Sequence, residues 1–169
     1  MTTATQQIYR VYIKATPEAI WDAITKPEWT ARYGYGGLAD FDLRPGGAFK
    51  VHADENFLAS GAPEIIVDGE VLEADPPRKL VQTWRMLMDA ETAAEGFTRL
   101  TYEIAEGAGG VTKVTLIHEL EGAPKVASLI AGEQEERGAG GGWAWMLSDL
   151  KSLLETGTRM ASEDGANQS

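Results

Sequence analysis

Few side chains in this sequence can carry chemistry. The chain holds two histidines, His52 and His118, and no cysteine. That removes thiolate nucleophiles, disulfides and thiolate zinc or iron–sulfur sites, and two histidines poorly support a multi-histidine metal centre. His118 is the informative one. It alternates with Val114, Leu116 and Leu120, so if those side chains point inward His118 does too. An inward imidazole in apolar surroundings can orient a ligand carbonyl or hydroxyl. It can serve as general acid or base, because its ordinary pKa lies near neutrality, or it can be a core side chain bonded to a neighbour. All three readings stand, with Tyr102 on the preceding strand as candidate partner. His52 alternates with Lys50 and reads as solvent-facing.

Other motifs are weaker. Glu133, Glu135 and Glu136 offer carboxylates but no EF-hand spacing, so a solvated loop is expected. Gly138–Gly142 precedes a helix as a phosphate cradle would, yet lacks the preceding strand and the Lys-Ser/Thr of a P-loop. It reads as a hinge, and with the helix around Val126–Ile130 it could form a lid over a cavity mouth. There is no Gly-x-Ser-x-Gly, no Ser-Lys pair in context and no His-Glu-x-x-His. No catalytic residue, metal ligand or cofactor is assigned.

Composition narrows the partners. In 169 residues there are 15 Lys plus Arg against 26 Asp plus Glu, a net charge of −11. That field repels a phosphate backbone or an anionic membrane, so no nucleic-acid or membrane partner is expected. No apolar stretch approaches the roughly 20 residues of a membrane span. Met1–Gln7 has no signal-peptide pattern, and the cytoplasm is the default expectation.

The elements that must position these residues follow from periodicity. Ile8–Lys14 alternates as a strand, with Tyr9, Val11 and Ile13 on one face. Thr16-Pro17-Glu18 reads as the capped start of a helix carrying Ile20, Trp21 and Ile24. A second short helix is expected from about Glu28 to Arg32. Strands are expected at Leu38–Leu43, Ala48–Ala53, Ile65–Leu72, Leu80–Met88, Phe97–Ala105 and Val111–Leu120. Loops fill Asp54–Pro63 and Asp89–Gly96. Trp143, Met146, Leu147, Leu150, Leu153 and Leu154 recur at helical spacing as one apolar stripe, with Gly157 as the stop. Trp145 lies off that stripe, either packed under a loop or an exposed anchor. Tight turns between strands make the sheet antiparallel, and one long helix must bury its stripe against it. The class is α+β. Residues 1–7 read as a short polar N-terminus, 8–157 as the domain, and 158–169 as a disordered polar tail.

The order β-αα-β6-α resembles the helix-grip fold of the START-like, Bet v 1-like superfamily (SRPBCC). Local motifs narrow it: Ile13-Lys14-Ala15-Thr16-Pro17-Glu18-Ala19-Ile20-Trp21-Asp22-Ala23-Ile24, Leu43-Arg44-Pro45-Gly46-Gly47, Gly69 through Leu80, Thr83-Trp84, and Gly141-Gly142-Trp143 heading the last helix. Together they are similar to the Hsp90-ATPase-activator-homologue-like branch. The resemblance implies a curved sheet gripping the C-terminal helix, commonly around an apolar cavity. Many helix-grip domains resemble lipid, hormone or polyketide carriers, and some are cyclases or dehydratases. This branch is named for a co-chaperone. The expected function is therefore non-enzymatic binding of a small apolar, lipid- or polyketide-like molecule. The alternatives are an Hsp90-activator-like interaction or stress-response module and a cyclase- or dehydratase-type enzyme. A homodimer or a chaperone is the other expected partner class. The expected ligand-binding set is Trp21, Phe41, Phe49, Trp84, Met86, Tyr102, His118, Leu129, Trp143 and Met146, each of which can instead be plain core.

Overall fold

Alternation along the first strand sets the pattern of the sheet. β1 (Gln6–Ile13) turns Tyr9, Val11 and Ile13 to the core and leaves Ile8, Arg10 and Tyr12 outside. The computed structural model describes residues 5–133 and 141–160. Thr16 caps α1 (Pro17–Thr25), its hydroxyl accepting the Ala19 N–H at 3.2 Å, with Pro17 in the first turn. This helix buries Ile20, Trp21, Ala23 and Ile24. The extended backbone of Lys26 ends it, and α2 (Pro27–Thr30) follows at once.

The remaining strands are β2 (Leu38–Phe41), β3 (Ala48–His52), β4 (Ile65–Asp75), β5 (Lys79–Met86), β6 (Thr98–Glu106) and β7 (Thr112–Glu119). They form a seven-stranded sheet in the order β1-β7-β6-β5-β4-β3-β2. Every pairing is antiparallel. Two segments expected as plain loops contain short helices, α3 (Glu55–Ala59) and α4 (Ala90–Ala94). Asp54 and Asp89 cap them, each accepting a backbone N–H at 2.8 Å, from Phe57 and Thr92. One turn of helix is too short to show a period, so only the Asp cap could have signalled it.

A bulge shapes the inner face. Val51 pairs with Val67 and His52 with Ile65, which leaves Ile66 as the extra residue. Both Ile66 and Val67 are therefore buried, where regular alternation would expose one.

α5 (Pro124–Ile130) leads toward α6 (Gly142–Thr156). The long helix buries Trp143, Leu147, Leu150 and Leu153, and Gly157 closes it at φ +82°. At its start Gly142 has φ +70°, and a Cβ there would lie 2.0 Å from the Ile130 carbonyl oxygen. Only glycine permits this close approach, which fixes the head of α6 against the end of α5. The C-terminal half of α6 rests on β1, where Lys151 donates to the Tyr12 carbonyl and Glu155 accepts from the Lys14 N–H. The result is an α+β helix-grip architecture, a curved antiparallel sheet under a long C-terminal helix.

Candidate functional site

The concave face of the sheet and the elements above it line a cavity of about 480 Å³ that is open to solvent on one side. Inward positions of the strands make its floor: Ala39 and Phe41, Phe49 and Val51, Ile66 and Val67, Gln82, Trp84 and Met86, Leu100 and Tyr102. Ile24, Tyr33, Tyr35, Gly36, Gly37, Leu129, Ile130, Trp143 and Met146 line it from above. The Phe41 and Phe49 rings, paired across β2 and β3, pack with centroids 4.6 Å apart. Among the described residues of the lining, Asp89 alone is charged, and its carboxylate is engaged in capping α4. The volume falls within the range of about 300–1,000 Å³ typical of pockets that take small molecules.

His118 stands behind this wall. It is fully buried, and both ring nitrogens are bonded. The Trp143 indole N–H can only donate, and it meets His118 Nδ1 at 3.1 Å. Nδ1 is therefore the acceptor, and the proton sits on Nε2. Nε2 lies 2.7 Å from Thr98 Oγ1, which gives its own proton to the Trp84 carbonyl at 2.8 Å. Each group in this chain is satisfied only with a neutral imidazole. Burial agrees, pushing the His118 pKa down to about 3. An imidazole so held is a poor general base near neutrality, and no lone pair is left for a ligand. What it does is hold two indoles. Trp84 meets the His118 ring edge-on at 5.1 Å, Trp143 lies 6.0 Å from Trp84, and both indoles line the cavity.

Phe41, Phe49, Trp84, Met86, Tyr102, Leu129, Trp143 and Met146 are brought together around the cavity. Two of the expected residues are not. Trp21 is buried in the core on α1, outside the lining. His118 is turned to its two protein partners. Tyr102 is not among them: β6–β7 register sets it opposite Leu116, while His118 faces Leu100. His52 is partly exposed, 3.9 Å from Asp40. Trp145 is half-buried and stacks on the exposed Tyr35, with centroids 5.5 Å apart. Glu135, Glu136 and most of the expected glycine hinge lie outside the described residues. Among the described residues no three His, Asp or Glu side chains gather as a metal site, and no helix is long and apolar enough to cross a membrane.

Sequence reasoning missed two residues. Gln82 shares the inward face of β5 with Leu80, Trp84 and Met86, is 1% exposed, and lines the cavity. Neither its Oε1 nor its Nε2 has a hydrogen-bond partner among the described residues. Leaving a buried amide so costs about 1–3 kcal/mol. Its signal was a polar residue at an apolar position of an alternating strand. The other is Asp149, fully buried on α6. It accepts from the N–H groups of Gly34 and Met160 at 2.9 and 2.6 Å and pairs with Arg159 at 3.0 Å. Arg159 in turn donates to the Gly34 carbonyl at 2.7 Å. This clasp ties the segment after α6 to the loop that lines the cavity. The expected disordered tail therefore does not begin at Thr158: Arg159 and Met160 are docked, and 161–169 lie outside the described residues. Asp149 could have been found as a charge within the Met146, Leu150, Leu153 stripe.

Comparison with known proteins places this arrangement. An HSP90 activator from Plasmodium falciparum superposes with a TM-score of 0.62 at 24% identity, over 89% of this chain and 96% of that one. The Aha1 dimer from Colwellia psychrerythraea gives 0.60 at 19%, over 91% and 98%. CalU16 from Micromonospora echinospora gives 0.56 at 21%, over 78% and 69%. At such identities these likenesses establish the fold. No curated protein matches the chain significantly. The sequence itself carries the family: residues 14–155, from the end of β1 to the end of α6, match the model of the activator of Hsp90 ATPase homolog 1-like proteins, and the chain belongs to that family.

Proposed function

We propose that this protein binds a small, mostly apolar molecule in the cavity between the sheet and α6. The observation that carries the reading is the cavity itself: about 480 Å³, walled by Phe41, Phe49, Trp84, Trp143 and aliphatic side chains, with few polar groups. Apolar surface moved from water into such a wall gains roughly 25 cal/mol per Å² before the costs of association are subtracted. Binding is favoured over turnover by the state of the titratable groups. His118 is neutral and fully engaged, and burial pushes the Tyr33 and Tyr102 phenols upward, so both stay protonated. A second reading, with a chaperone or a second copy as partner, draws on two solved neighbours, the HSP90 activator and the Aha1 dimer. The surface feature that such a reading would use is the half-buried Trp145 stacked on the exposed Tyr35.

The test is a fluorescence titration with the neutral apolar probe N-phenyl-1-naphthylamine. Saturable binding to a single site is expected. Val51→Trp places a large ring from a half-buried wall position into the open volume. It should weaken binding at least about tenfold, which is about 1.4 kcal/mol, while the near-UV circular dichroism remains that of a folded protein. Undiminished affinity in the folded variant would put the probe elsewhere and remove this reading.

A further inference from the structure

We infer that the occupant of the cavity is a neutral molecule with a paired hydrogen-bond donor and acceptor, such as an amide, lactam or hydroxy-carbonyl group, that docks on Gln82. The inference rests on the cavity reading above. Buried polar side chains in folded proteins are nearly always paired, yet both ends of the Gln82 amide lack a protein partner while the residue stands in the cavity wall. A methionine or leucine would fill the same position with no polar group to satisfy. A carboxamide offers an acceptor and two donors in one plane. Its complement is a group that accepts and donates side by side.

The surroundings sharpen the class. Leu100 lies directly across β6 from Gln82, and Tyr102 is the diagonal neighbour on the same inner face, its side chain also in the lining. The Tyr102 phenol is a second polar group that register places on this inner face. No lysine or arginine is among the described lining residues, and the chain carries −11 overall. A carboxylate would lose its hydration there with no cation to replace it. An ammonium group would give the Gln82 amide N–H nothing to donate to, and the one charged lining residue, Asp89, already accepts the Thr92 N–H as the cap of α4. Both amide atoms are buried from solvent, so docking requires the Gln82 side chain to turn about its own torsions toward the open volume.

Isothermal titration calorimetry at pH 8 with octanamide, methyl octanoate and octanoate tests this. The amide pairs with both ends of Gln82, the ester only accepts, and octanoate is an anion. Octanamide is expected to bind about tenfold tighter than methyl octanoate, with octanoate weakest. In Gln82→Met the octanamide affinity should fall to within about twofold of the ester, whose own affinity stays within about twofold of wild type. The same variant should melt higher in the absence of ligand, because a buried unpaired amide is gone. Equal binding of amide and ester by the wild-type protein overturns the inference, and that ranking needs no variant. A preference that survives in Gln82→Met overturns it too. Both results leave the cavity reading standing wherever the ester binds. If octanamide does not bind, the inference falls. If N-phenyl-1-naphthylamine also fails, the cavity reading falls with it.

Discussion

Replacing Asp149 by alanine is expected to lower the unfolding free energy by about 3–5 kcal/mol, the cost of breaking a buried ion pair from one side. The carboxylate is fully buried, and its loss strands several groups at once. The Gly34 and Met160 N–H groups lose their acceptor, and the largely buried Arg159 guanidinium loses its counter-charge. Urea denaturation of wild type and variant reads the difference directly. Hydrogen exchange should show the damage first in the Tyr33–Gly37 segment, which the clasp holds beside the cavity. A loss below about 1 kcal/mol, the range of an exposed pair, would mean that the clasp carries no such weight.

The second large effect is a pH dependence. The unfolded chain protonates His118 near pH 6.5, while the folded protein refuses that proton until about pH 3. Between those values the unfolded state binds more protons, so stability rises with pH across the window. The contribution is complete above the unfolded value and is lost as the pH falls from 6.5 toward 3. At pH 4.5 it amounts to about 2–3 kcal/mol. His118→Leu isolates it. At pH 7.5 that variant should be less stable by about 1–3 kcal/mol, because the Trp143 indole N–H is left buried without an acceptor. With no imidazole to protonate, its stability should fall less on acidification. Denaturation curves at the two pH values should show the gap close or reverse. A gap that stays constant would mean that the imidazole titrates alike in both states.

The architecture was legible because periodicity is a property of single elements. Tyr9, Val11 and Ile13 declare β1, and the Trp143–Leu154 stripe declares α6, wherever either packs. The cavity wall was legible for the same reason, since Phe41, Phe49, Trp84 and Met86 occupy inward parities. What failed was anything that depends on register or on contacts between distant segments. Neighbouring strands suggest Tyr102 as the partner of His118, yet register sets Thr98 diagonal to it. Trp143 reaches the ring only through tertiary packing. Gln82 and Asp149 were overlooked for a different reason. Each sits at an apolar position of an otherwise apolar pattern, and tracing the stripe passes over the exception. Those exceptions, one unpaired in a cavity wall and the other holding a clasp, are the polar groups on which the site turns.

The placement of β1 has a consequence for how the chain assembles. Its partner is β7, with Gln6 against Glu119 and Ile13 against Thr112, whereas every other pairing joins strands consecutive in sequence. Closing a loop of about 100 residues costs roughly 3 kcal/mol more entropy than closing a short turn. The β2–β7 meander can therefore zip from neighbouring hairpins, while β1, with α6 lying on it, arrives late. Val11→Ala should accordingly speed unfolding and leave the folding rate nearly unchanged, giving a φ-value near zero in stopped-flow chevrons. A value near one would reverse the order. On the ribosome, at about 5–20 residues per second, β1 waits on the order of 5–20 s for its partner to be made. Arg10 and Lys14 in and beside β1 are the kind of charge that discourages a waiting edge from pairing with another chain. In that order β1 pairs after the β2–β7 meander, and the grip on the helix closes with it.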